Sequence, residues 1–140
     1  MDEWYDLMRE ADTTFRQVIR QYKKDMGKLL EDVCILEFYF MKVLSEKGTA
    51  QPVMSIANEL HVSPSVITAN YTKLMNKGII YRERALTDKR VVELGLTEEG
   101  KKLIMELEKR QTDYLMNKFK GFSQEEIETL MAQLRRLLQN

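Results

Sequence analysis

The chain has 140 residues, 44% of them hydrophobic and 31% charged, a size and balance that suit one domain with a real core rather than a disordered segment. Its 22 basic and 22 acidic residues cancel, which excludes a uniformly basic polyanion binder, and its single cysteine, Cys34, excludes an internal disulfide. No apolar run approaches the roughly 20 residues of a membrane span, and the acidic start MDEWYDLMRE is unlike a secretory signal, so a cytoplasmic location away from membranes is expected.

Taken in chain order, Trp4, Leu7, Ala11, Phe15, Val18, Tyr22 and Met26 recur at spacings of three and four. They predict a first helix of about seven turns with one apolar stripe. A second run, Val33, Ile35, Leu36, Phe38, Tyr39, Phe40, Val43 and Leu44, is apolar nearly all round and ends at Lys47 and Gly48. It predicts the most buried helix of the fold. Cys34 falls within this run, where a thiol is expected to be an inert packing group.

The stretch PVMSIANELHVSPSVITANYTKLMNKG reads as a short helix from Pro52 to Leu60, a turn at His61 and Val62, and a second helix from Pro64 to Lys77. Pro52 and Pro64 suit first-turn positions, where a missing N–H costs nothing. Ser63 is placed to cap the second helix and Gly78 to end it in a left-handed conformation. His61 sits in the turn, where tolerance of positive φ is its expected role. A tight turn between two helices, with small Ala57 at the crossing, makes a helix-turn-helix. On a helical wheel Ile67, Tyr71 and Leu74 fall on one side with Asn70 at their edge, leaving Ser65, Thr68, Ala69, Thr72 and Lys73 on a small polar face that fits a major groove.

The next stretch, IIYRERALTDKRVVELGLT, reads as a two-stranded ribbon. Ile79 to Arg84 lead in, and Val92, Leu94 and Leu96 alternate with Val91, Glu93 and Gly95 on the way out. Lys89 and Arg90 lie in the loop between, and Asp88, two residues before Arg90, can pair with a guanidinium and fix its direction. Residues 63–92 hold six basic side chains, Lys73, Lys77, Arg82, Arg84, Lys89 and Arg90, against Glu83 and Asp88, a net of +4 that leaves −4 on the remainder. Positive charge is therefore local to the helix-turn-helix and its ribbon, the pattern of a winged helix that meets DNA with one face.

Thr97 is expected to cap a further helix through Leu103, Ile104, Leu107, Tyr114, Leu115 and Phe119, interrupted near Gly121. Ser123 and Glu126 form a capping box for the last helix, which carries Ile127, Leu130, Met131, Leu134, Leu137 and Leu138. Long stripes on terminal helices, about a core segment of only some 70 residues, point to packing between two subunits, with Trp4, Leu7, Phe15, Leu130, Leu134 and Leu137 at the interface. An intramolecular bundle is the alternative. The mainly α fold is thus a winged helix-turn-helix over about 33–100, flanked by dimerisation helices over about 1–30 and 101–140.

One histidine and one cysteine do not make a metal-ligand set. No glycine-rich phosphate loop, histidine pair or nucleophile with an evident base appears, so neither an enzyme nor a cofactor is expected.

The helix order, the DKR motif at 88–90 and LTEEGKKL at 96–103 resemble the MarR family of transcriptional regulators over nearly the whole chain. The resemblance implies a homodimer that binds double-stranded DNA at a pseudo-palindromic operator, often released by a small anionic or phenolic ligand or by oxidation. It places Ser65, Thr68, Ala69 and Lys73 in the groove and Arg90, aimed by Asp88, in the wing; Ser63, Val66, Asn70, Thr72, Arg84 and Lys89 complete the expected DNA-binding set. Ala69 stands where many members carry a basic residue, and Asn70 where an apolar one is common, so Asn70 either bonds to backbone or approaches DNA from the side. The family's ligand cleft would involve Phe15, Tyr39 and Phe40. The competing reading is a winged helix that contacts a protein instead of specific DNA.

Overall fold

Six helices and three short strands make up residues 2–140, the part that the computed structural model describes. The order is α1 (Asp2–Leu30), α2 (Ile35–Lys47), β1 (Gln51–Pro52), α3 (Val53–Leu60), α4 (Pro64–Asn76), β2 (Ile80–Arg84), β3 (Val92–Leu96), α5 (Glu98–Lys118) and α6 (Gln124–Gln139). The strands form one antiparallel sheet in the order β1-β3-β2, with Gln51 opposite Leu94 and Arg82 opposite Leu94 on the other edge.

The apolar circumference of α2 decides where the core sits. Phe38, Phe40, Met41 and Leu44 are enclosed there by Ile56 and Ala57 of α3, Ile67 and Leu74 of α4, Leu94 of β3, and Ile104 and Leu107 of α5. Met26 and Leu30 close the same core from the end of α1. Each such side chain, fully buried, contributes on the order of 1.5–3 kcal/mol of transfer free energy, so the winged lobe is stabilised chiefly from within.

The helices α1 and α6 behave otherwise. Only Met26 and Leu30 of α1 are buried, and α6 buries none of its residues. Trp4 is 68% exposed and Leu137 56%, so the intramolecular bundle that the apolar stripes allowed does not form within one chain.

Where α1, α2 and α5 meet, the packing is polar. Tyr22 and Tyr39 share a hydrogen bond of 2.7 Å between their hydroxyls, and Gln111 Nε2 donates to Tyr22 at 2.9 Å. Tyr114 donates to Asp25 Oδ2 at 2.7 Å. Arg110 donates to the carbonyls of Leu29 and Leu30, so a cation satisfies acceptors left over at the end of α1.

Several element boundaries differ from the sequence expectations. Pro52 is not in the first turn of a helix: it pairs with Glu93 in β1 and precedes α3, its φ of −61° and ψ of 149° being extended. Proline fits a short edge strand because no N–H is needed on its outer side. The second helix starts at Ile35, so Cys34 lies before it rather than inside it. The thiol is exposed, and the expectation of a buried packing cysteine is corrected: the chain reverses at Glu31 (φ 52°) and lifts Cys34 to the surface.

Candidate nucleic-acid interface

The turn between α3 and α4 is set by three residues. His61 takes the left-handed conformation, with φ 55° and ψ 42°, and Val62 N–H donates to Ala57 O at 3.1 Å. Ala57 has no exposed surface, and its size lets the helices cross there. Ser63 is in N-cap position, but its hydroxyl bonds to that of Ser65 at 2.9 Å and not to a backbone N–H of α4. The capping role expected of Ser63 is therefore corrected; Pro64 at the helix start removes one of the orphan donors a cap would have met.

Ile67 and Leu74 anchor α4 in the core, while Ser65, Thr68, Ala69, Thr72 and Lys73 are exposed. Val66 is half-buried. The Thr68 hydroxyl donates to Pro64 O at 3.1 Å, which leaves its oxygen as an acceptor toward solvent. Asn70 is half-buried and donates to Val66 O at 2.6 Å. Of the two roles open to Asn70, the structure has the backbone one, so the side chain is turned away from the exposed face.

The wing rises beside this face. Its strands are held in register from Ile80 opposite Leu96 to Arg84 opposite Val92, and Ala85 N–H closes the loop on Val91 O at 2.9 Å. Within the loop Asp88 Oδ1 accepts from Arg90 N–H at 3.0 Å and from Arg90 Nε at 3.1 Å, and Oδ2 accepts from Nη2 at 3.2 Å. The guanidinium, and after it the Arg90 N–H, hold the Asp88 carboxyl below the ordinary carboxylate value. Arg84 Nη1 donates to Lys89 O at 2.9 Å. The arginine side chain at 90 is nevertheless 92% exposed, so it is oriented and still free to meet an anion.

Between α4 and the wing runs a groove of about 400 Å³ that brings Thr68 and Tyr71 together with Arg82 and Arg90. Sequence reasoning did not single out Arg82 as part of the site; its alternation with Tyr81 along β2 was the available signal. It also passed over Leu86, which is wholly exposed near the wing tip.

The base of the wing answers why a threonine follows it. Thr97 Oγ1 donates to Gly78 O, at 2.6 Å, or to Ile79 O, at 3.0 Å, and accepts from Gly100 N–H at 3.0 Å. One side chain thus ties the chain just after α4 to the start of α5. A Cβ at Gly100 would lie 2.1 Å from Ile79 O, and one at Gly95 would meet the Tyr81 ring at 2.5 Å. Both glycines are required by close approach, not by turn geometry.

The residues expected in a ligand cleft are not alike. Phe40 has no exposed surface and is corrected to a core residue, because its position on α2 faces α3 and α5. Tyr39 is half-buried with its hydroxyl on Tyr22, and Phe15 is 46% exposed on the α1 stripe. Among the described residues no group of three or more potential ligands could hold a metal ion, and no helix is long and apolar enough to cross a membrane.

A buried helix-turn-helix with a basic ribbon at its flank defines the class of winged-helix regulators of the MarR type. The family model "Transcriptional regulator SarA/Rot" matches residues 17–107, and the chain belongs to that family of MarR-like transcriptional regulators. It is 30% identical over 126 residues to the HTH-type transcriptional regulator YpoP of Bacillus subtilis, covering 89% of each chain. It is 27% identical over 96 residues to the HTH-type transcriptional repressor MdtR of the same organism, covering 67% of this chain and 61% of MdtR. Among solved structures, a MarR family protein from Bacillus stearothermophilus superposes with a TM-score of 0.76 at 29% identity, over 94% of this chain and 93% of that one.

Proposed function

We propose that the protein is a homodimeric repressor that binds a pseudo-palindromic operator, with α4 in the major groove and the wing on the flanking backbone or minor groove. The observation that carries this is the pairing of a small polar α4 face with an exposed arginine held in direction by Asp88. Ser65, Thr68, Ala69, Thr72 and Lys73 then read or track the groove, and Lys89 and Arg90 meet phosphates or a narrow minor groove.

Dimerisation follows from the uncovered stripe. Trp4, Leu7, Phe15 and Val18 on α1, with Leu137 and Leu138 on α6, are all exposed, an apolar extent that a soluble chain covers with a partner. Leu130 and Leu134 are half-buried on the same helix. Two lobes held by such an interface would present two α4 helices about one DNA turn apart. Repression is the activity named for the relative MdtR, and a small anionic or phenolic effector would act by favouring one lobe arrangement over another. Selection of bound fragments from a genomic duplex pool tests the reading: an enriched inverted repeat supports it, and recovery of no sequence above background contradicts it.

A further inference from the structure

The end of α4 is fastened to the α1–α2 corner by one lysine. Lys77 follows the last residue of α4, with φ −80° and ψ −5°. Its Nζ donates to Asp32 O at 2.9 Å and lies 3.7 Å from Glu37 Oε1. Glu37 stands in the first turn of α2 and is 5% exposed. Its Oε1 also accepts the Cys34 N–H at 2.9 Å, whereas its Oε2 is buried with no hydrogen-bond partner.

This is a poor arrangement as a source of stability. A carboxylate removed from water loses its hydration, and here half of its acceptor capacity is unmet. Well-packed apolar side chains often hold such a place at least as firmly. What the charged pair adds is direction. Asp32 is two residues past the end of α1, and Lys77 one past the end of α4, so the link spans from the dimerisation helix to the helix that would enter the groove. Lys77 is also the one basic residue of the 63–92 segment whose ammonium faces a buried carboxylate, which takes it out of the groove-facing charge.

We propose, resting on the DNA-binding reading above, that Lys77 and Glu37 are positioning residues for operator recognition. They fix the angle of α4 to α1, and through it the separation of the two α4 helices in the dimer. They set half-site spacing and touch no base.

The test uses full-length wild type, Lys77→Met, Lys77→Arg and Glu37→Gln against inverted repeats of graded half-site spacing, at several salt concentrations, with hydrogen exchange of the free proteins alongside. Lys77→Met and Glu37→Gln are expected to lose about tenfold of the preference for the best spacing at unchanged salt slope. Exchange should quicken together at residues 31–34 and in the last turn of α4, and Lys77→Arg should restore both. Unchanged preference and exchange in Lys77→Met would overturn the inference, as would a uniform loss across all duplexes with a shallower salt slope, which would make Lys77 a phosphate contact. Should Lys77→Met not fold, Glu37→Gln, nearly isosteric, decides by the same readouts. Absence of salt-dependent, selective binding by wild type would instead remove the DNA-binding reading, and the positioning role with it.

Discussion

Asp88 grips Arg90 by backbone and side chain at once, through one backbone N–H and two guanidinium nitrogens, all within 3.2 Å. A flexible wing-tip arginine is thereby given one direction before any DNA arrives, which lowers the ordering cost of binding. Arg90→Ala should weaken binding to every duplex by about 1–3 kcal/mol and make the salt slope shallower by about one. Asp88→Asn should weaken binding less, because the charge of Arg90 remains while its orientation is lost. Fluorescence anisotropy over a salt series reads both. A stronger effect from Asp88→Asn than from Arg90→Ala would show that the carboxylate shapes the whole loop.

Thr68 offers an acceptor, since its proton is committed to Pro64 O. The bases that present donors in the major groove are adenine at N6 and cytosine at N4. Thr68→Val keeps the shape and removes the acceptor, so it should change base preference at one position of each half-site while nonspecific affinity holds. Selected sequences that are identical for wild type and Thr68→Val would place that side chain away from the bases.

The α1 and α6 stripes predict an association that single charges can break. Phe15→Asp or Leu137→Asp should halve the sedimenting mass, with the winged lobe still folded because neither residue belongs to its core. Operator affinity should then fall by about two to four orders of magnitude, the usual gain from linking two binding modules. Dimeric mass in both variants would move the interface elsewhere.

Burial, with the Tyr22 hydroxyl next, pushes Tyr39 up to about 12, and burial with the Asp25 carboxylate next does the same for Tyr114. A raised phenol value means that the folded chain holds the proton more tightly than the unfolded chain. The stabilisation is fully present below the ordinary value of 10.0 and is lost as pH rises through about 12. Near-ultraviolet titration should show an ionisation step near 12 from which Tyr39→Phe and Tyr114→Phe each remove one equivalent. Denaturant midpoints should decline over the same interval.

Two glycine substitutions should have opposite signs. Gly100→Ala drives a methyl into Ile79 O, a backbone atom that cannot rotate away, and should destabilise by at least about 1–3 kcal/mol. Gly27→Ala meets nothing within 4 Å on α1 and should stabilise by about 0.5–1 kcal/mol. Thermal unfolding of the two variants checks the pair.

The parts legible in the sequence were those governed by local periodicity and turn chemistry. The i, i+3, i+4 rows gave α1 and α6, His61 and Gly78 marked chain reversals that prove to have positive φ, and Ser123 with Glu126 formed the expected reciprocal cap. What escaped depended on partners distant along the chain. Pro52 looked like a helix start because only β3, some 40 residues on, reveals it as strand. Cys34 looked buried because the apolar run gives no sign of the reversal at Glu31. The oxygens of Ser63 and Asn70 went to neighbours that compete with the expected ones by a fraction of an ångström. The Glu37–Lys77 link, 40 residues apart in sequence, had no local signal at all.

The central claim, that two winged lobes act as one unit on DNA, is tested most directly by sedimentation of the protein with an inverted-repeat duplex drawn from the selection, over a range of salt. The account predicts a complex of two chains per duplex that dissociates steeply as salt rises. A single chain per duplex, or binding indifferent to salt, would contradict it.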